Sequence, residues 1–151
     1  SAGVTHSMKN MVGSVPLSLY NSGAGHRQDL HAQGNATLVR NFLDINRIRP
    51  IHFAVNDAIK TAEHGEGPWI RGFRTARFDT LVVGMDPVAV DSVSTQVMGY
   101  DPMAADNAGP FGDDLTRTDN YLRLAEEHGM GVHDLNRIEV VDATIAGQME
   151  G

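Results

Sequence analysis

The chain has 151 residues, a formal net charge of −7, 41% hydrophobic and 21% charged residues, and no cysteine. That length suits one domain with a buried core, and the acidic balance argues against a nucleic-acid or anionic-membrane partner, both of which require a basic face. Without cysteine, disulfides, thiolate nucleophiles, zinc–thiolate sites and any iron–sulfur cluster ligated by this chain are excluded.

In chain order, the first twenty residues mix polar groups with small and apolar ones, and a short helix is expected from Thr5 to Met11, stopped near Gly13. Residues 21–35 are rich in Gly, Asn, Ser and His, and read as an exposed loop carrying His26 and His31. From Asn35 to Arg49 the apolar positions Leu38, Val39, Phe42, Leu43, Ile45 and Ile48 recur at helical spacing, and Pro50 ends the helix. Ile51 to Val55 reads as a buried strand followed by Asn56 and Asp57, and residues 58–79 as a long loop around Gly65-Glu-Gly-Pro-Trp69.

Leu81, Val82 and Val83 then form an apolar run that Gly84 breaks, and Asp86 before Pro87 reads as the cap of a helix over 87–98. A second helix is expected from Thr116 to His128, with Tyr121, Leu122, Leu124 and Ala125 turned inward, and a final strand from Arg137 to Val141. The fold class is therefore α/β, a small mixed or parallel sheet flanked by helices in a single domain over residues 1–151. Three short strands leave exposed edges, so the chain is expected to belong to a larger fold or to be completed by another chain. No apolar run reaches eighteen residues, so no membrane span is expected.

Several carboxylates lie where strands end. Asp57, Asp86 and Asp91, with Glu66 from the loop, form a candidate oxygen-ligand set for Mg, Mn or Ca. Two of them also have a structural explanation: Asp86 as a helix cap, and Asp91, on a mostly uncharged helix face, through a backbone hydrogen bond or an ion pair with Arg71, Arg74 or Arg77. Lys9, Asn10, His26 and His31 form a second constellation, suited to a small anionic ligand or to acid–base work with Lys9 and His31 as the catalytic pair. Trp69, the only tryptophan, is read either as a ligand cover or, preferably, as a loop plug packed on the core. Familiar nucleotide-binding, esterase and zinc-protease signatures are absent from the sequence.

Taken together, Ser7-Met-Lys-Asn10 with Gly13, His31 after a glycine-rich loop, Val55-Asn-Asp-Ala-Ile59, Gly65-Glu-Gly-Pro68, Asp86-Pro-Val-Ala-Val-Asp91 and Met98-Gly-Tyr-Asp-Pro102 resemble domain-of-unknown-function family 362. The resemblance implies a longer domain with further strands before the lysine–asparagine motif, so residues ahead of Ser1 are expected. It also implies association with ferredoxin-like segments and a cytoplasmic location or export in folded form, but no established reaction. The functional expectation is a polar site at strand ends that binds a divalent cation or small anionic ligand and supports acid–base or hydrolytic chemistry. Its rivals are a non-enzymatic partner domain of an iron–sulfur electron-transfer protein and a structural subunit, including a homo-oligomer.

Overall fold

The computed structural model describes residues 2–16, 18, 28–30, 34–65, 67–112 and 117–143. Within them lie four helices, α1 (Ser7–Asn10), α2 (Asn35–Ile48), α3 (Pro87–Val97) and α4 (Tyr121–Glu127), and two strands, β1 (Ala54–Glu63) and β2 (Arg74–Gly84). The α/β class holds. None of the described helices is long and apolar enough to cross a membrane.

The sheet differs from a parallel or mixed one: β1 and β2 form a two-stranded antiparallel hairpin, with Ala54 opposite Gly84 and Glu63 opposite Arg74. Both strands run well into what reads in sequence as a loop over 58–79. Residues 58–63 and 74–79 carry no apolar run to announce a strand, and they are extended because each supplies the other's ladder partners; strand preference depends strongly on such context. A register shift between Ala58 and Lys60, with Asp79 at φ 51°, places a bulge in the middle of the hairpin. The expected strand over 137–141 is absent. A 3₁₀ turn spans Leu135–Arg137, and residues 138–143 make no strand pairing among the described residues.

The core lies among the helices. Met8, Leu38, Val39, Phe42, Leu43, Val88, Phe111, Tyr121, Leu122 and Ala125 form one buried cluster, whereas the hairpin adds only Ala54 and Ala58 to the buried residues. Tyr121 stands edge-on to Phe42, with ring centroids 5.1 Å apart, and to Phe111 at 6.2 Å. Helix α2 turns Leu38, Val39, Phe42, Leu43 and Asn46 inward, Asn46 continuing the four-residue spacing of Leu38 and Phe42, while Ile48, expected among the inward positions, falls on the opposite side and is 84% exposed. Asn46 earns that position by donating Nδ2 hydrogen bonds to the carbonyls of Met8 and Phe42.

Helix α4 starts five residues later than the sequence implies. The side chain of Asn120 caps it by accepting from Leu122 and Arg123, and its Nδ2 holds the carbonyls of Pro102 and Ala104. At its other end Glu126 accepts from the backbone N–H of His133, from the His133 ring and from Arg137, and these partners, led by the His133 N–H, hold its carboxyl down at about 2. A carboxyl depressed in the fold contributes stability above its ordinary range near 4.5 and loses it as pH falls toward about 2. Between about pH 5 and about pH 3 the melting temperature of the wild type should therefore fall more steeply than that of Glu126→Gln. Parallel acid slopes in calorimetry would refute this.

Candidate functional site

Asp91 is the polar centre of the molecule. It lies in the second turn of α3 and is 0% exposed, and its carboxylate accepts five hydrogen bonds from three other elements. Ser7 donates its N–H at 3.0 Å and its hydroxyl at 2.6 Å to Oδ1, and Met8 its N–H at 3.1 Å to Oδ2. Asn56 on β1 donates Nδ2 to Oδ1 at 3.0 Å, and Tyr121 on α4 its hydroxyl to Oδ2 at 3.1 Å. Burial, then the charge of Asp91 and this hydrogen bond, push the Tyr121 hydroxyl well above its ordinary pKa, so it remains a donor.

The physical role follows from the donors. A four-residue helix leaves its first N–H groups without internal partners and is too short to persist alone. His6, at the cap position of α1, makes no side-chain cap bond, and the carboxylate from α3 does that work across 84 positions of sequence. Asn46 engages the same helix from its carbonyl side at Met8. The partner of Asp91 is thus a helix end with three side-chain donors, not an arginine: Arg74 pairs with Glu63 and Arg77 with Asp79 on the hairpin.

Asp86 caps α3 by accepting from Val88 at 2.9 Å and Ala89 at 3.1 Å, and its other oxygen accepts from Val132 at 2.9 Å. A Cβ on Gly131 would sit 2.1 Å from that carboxylate, which explains the glycine beside it. Asp57 is exposed on β1 and accepts from the N–H of Ile59 at 2.8 Å. The three carboxylates expected to share a cation are therefore each engaged by different partners. Among the described residues no group of three His, Asp or Glu side chains has metal-holding geometry.

Of the second constellation, His26 and His31 lie outside the described residues, as does Glu66. Lys9 is half-buried and its Nζ donates to the Thr5 hydroxyl at 2.9 Å, while Asn10 is exposed. Trp69 is no core plug: it is 78% exposed, with its ring folded back over Gly67, where an added Cβ would lie 2.1 Å from it.

A cleft of about 430 Å³ opens where α1, the start of β1 and α3 meet. Its polar wall consists of Thr5, His6, Ser7, Asn10, Asn56, Asp57, Thr61 and Ser94, its apolar wall includes Phe53, Val55 and Met98, and neither lysine nor arginine lines it. Two sequence candidates, Asn10 and Asp57, thus meet here, joined by His6, Asn56 and Ser94. Asn56 Nδ2 also donates to Ser94 at 2.9 Å, which couples the cleft wall to Asp91. Burial pushes the His6 imidazole below its ordinary pKa against the opposing pull of Asp91, so the ring is neutral near pH 7. Its Nε2 is enclosed and has no hydrogen-bond partner. The readable signal for His6 was its place immediately before the Ser7-Met-Lys-Asn10 motif; what sequence did not show was the fold-over that sets that motif on Asn56 and Asp91.

A protein-family model described as Domain of unknown function (DUF362) matches residues 1–96. Comparison with curated proteins found no match, and neither did comparison with solved structures. The matched span contains α1, the hairpin and Asp91, and so all of the cleft lining except Met98.

Proposed function

Because the chain belongs to the DUF362 family, whose description names no reaction, we propose a function from its own geometry: the cleft between α1, β1 and α3 binds a small polar ligand, with His6 as an acid–base group. The observation that carries this is the convergence of eight polar side chains, the neutral imidazole of His6 among them, on a concavity of about 430 Å³, within the usual range for small-molecule sites. The enclosed Nε2 of His6 adds support, since a buried ring nitrogen without a partner is normally met by a water or a ligand group.

The lining narrows the ligand class. A small anion would find only neutral donors, and a hard cation would find the single available carboxylate of Asp57, because Asp91 is saturated by its five donors. A neutral molecule with hydroxyl or amide groups fits best, its donors on Asp57 and the Thr5 hydroxyl and its apolar body against Phe53, Val55 and Met98. A neutral imidazole can accept a proton from a bound hydroxyl near pH 7 and return it, which is general acid–base work.

Amide-resolved NMR titration with a panel of polyols, hydroxy-amides, inorganic phosphate, Mg²⁺ and Mn²⁺ tests this. Shifts centred on His6, Asn10 and Asn56 with a neutral polar probe, abolished in Thr61→Trp, which fills the cleft, are the expected result. Perturbations confined elsewhere, or by Mg²⁺ or phosphate alone, would overturn the ligand class proposed.

A further inference from the structure

The hairpin is an unfinished sheet. Strand β2 pairs with β1 along one edge and with no other described strand along the other, so from Arg74 to Gly84 its outward N–H and C=O groups lack ladder partners. Such an edge is a template for another strand unless proline, inward charges or a covering element blunts it. No proline occurs in β2, and the bulge at Asp79 divides it, leaving residues 74–78 as a regular, exposed stretch.

Elsewhere in the molecule lies a segment with the opposite deficiency. Residues 138–142, Ile-Glu-Val-Val-Asp, have the composition of a strand, are extended at Ile138 and make no strand pairing among the described residues, while Val140 and Val141 are 61% and 79% exposed. The two stretches match in charge and spacing. In an antiparallel register that sets Glu139 opposite Arg77, Val140 falls opposite Ala76, Val141 opposite Thr75, and Asp142 opposite Arg74. Both acids then meet both arginines at once, because each pair is three residues apart. The arginine side chains are 65% and 68% exposed; the Arg77–Asp79 pair lies at the surface and exchanges at little cost, while Arg74 keeps Glu63, whose side chain is 15% exposed, and adds Asp142.

We infer that residues 138–142 of a second copy of this chain add to the free edge of β2 as a third strand, pinned by Glu139 on Arg77 and Asp142 on Arg74. The chain's own tail is held elsewhere: Asp86 binds the N–H of Val132, and Glu126 binds Arg137, and from that tether residues 138–143 reach no strand. Reciprocal donation between two copies closes a two-fold dimer, in which each contact is made twice. The donating segment lies outside the span matched by the family model, and the accepting edge of β2 lies within it.

Sedimentation equilibrium tests the pairing. The wild type should be a dimer, and Glu139→Arg with Asp142→Arg should weaken it about tenfold or more, since like charges directly opposite on paired strands repel. The tail is exposed, so this variant should melt as the wild type does. Arg74→Glu with Arg77→Glu should weaken the dimer equally, and joining all four substitutions should restore it. A chain that stays monomeric at millimolar concentration, a dimer indifferent to the tail reversal, or a monomer whose β2 amides are protected by its own tail would each overturn the inference. Cleft binding is read separately by the NMR titration, so either result can fail without the other.

Discussion

Replacing Asp91 by alanine should cost about 3–5 kcal/mol, the largest loss expected from any single polar substitution in this chain. Five donors point at that carboxylate, two of them on the core residues Met8 and Tyr121, and alanine leaves all five without their acceptor. The four residues of α1 would lose the acceptor for their first two N–H groups, and a helix that short has little else to hold it. Against a total stability of about 5–15 kcal/mol, unfolding of a sizeable fraction of the protein is expected. Asp91→Asn keeps the shape but turns an NH₂ toward other donors, and should recover less than half of the loss. Denaturant melts in the presence and absence of EDTA provide the check. The cost should be the same in both; a cost that vanishes in chelator, or one below about 1 kcal/mol, would mean that Asp91 serves a metal and not the helix.

Phe42→Ala should be comparably damaging, about 3–5 kcal/mol, for a purely apolar reason. The ring is 0% exposed at the centre of α2 and meets Tyr121 edge-on, and Tyr121 in turn meets Phe111, so truncation opens a cavity at the start of an aromatic row. Because the Tyr121 hydroxyl also reaches Asp91, loosening that row should disturb the α1 anchorage as well. Ile48→Ala on the same helix is the control: at 84% exposure it should change stability by less than about 0.5 kcal/mol. Chemical denaturation of the two variants side by side decides the matter. Equal losses would show that α2 packs through a face other than the one described.

The two substitutions separate two ways in which this fold holds together. Phe42 reports on the helical core, where area removed from water dominates. Asp91 reports on a polar hub where the net gain of each bond is modest but the penalty for leaving a donor unmatched is large. The cleft inherits its shape from the second, since Asn56 spans Asp91 and Ser94, and Ser7 and His6 are positioned by the end of α1.

What the residues alone determined is whatever depends on neighbours in sequence. Local periodicity set α2 and its stop at Pro50, and the Asp86-Pro87 step set the start of α3, because capping and side-chain period act within one or two turns. The inward faces of Tyr121, Leu122 and Ala125 followed in the same way. The acidic balance and the missing cysteine bounded the chemistry, and the scattered family motifs marked the stretch containing the site.

Only the tertiary structure decided what depends on distant partners. Residues 58–63 and 74–79 became strands because each completes the other, and residues 137–141, strand-like by composition, meet no such partner among the described residues. Asp91 is the sharpest case. Its sequence context showed a carboxylate on an uncharged face in need of donors, but the donors lie 84, 83, 35 and 30 positions away, and no local rule reaches that far. A buried charge is placed by whatever satisfies it, and satisfaction is a property of the folded whole.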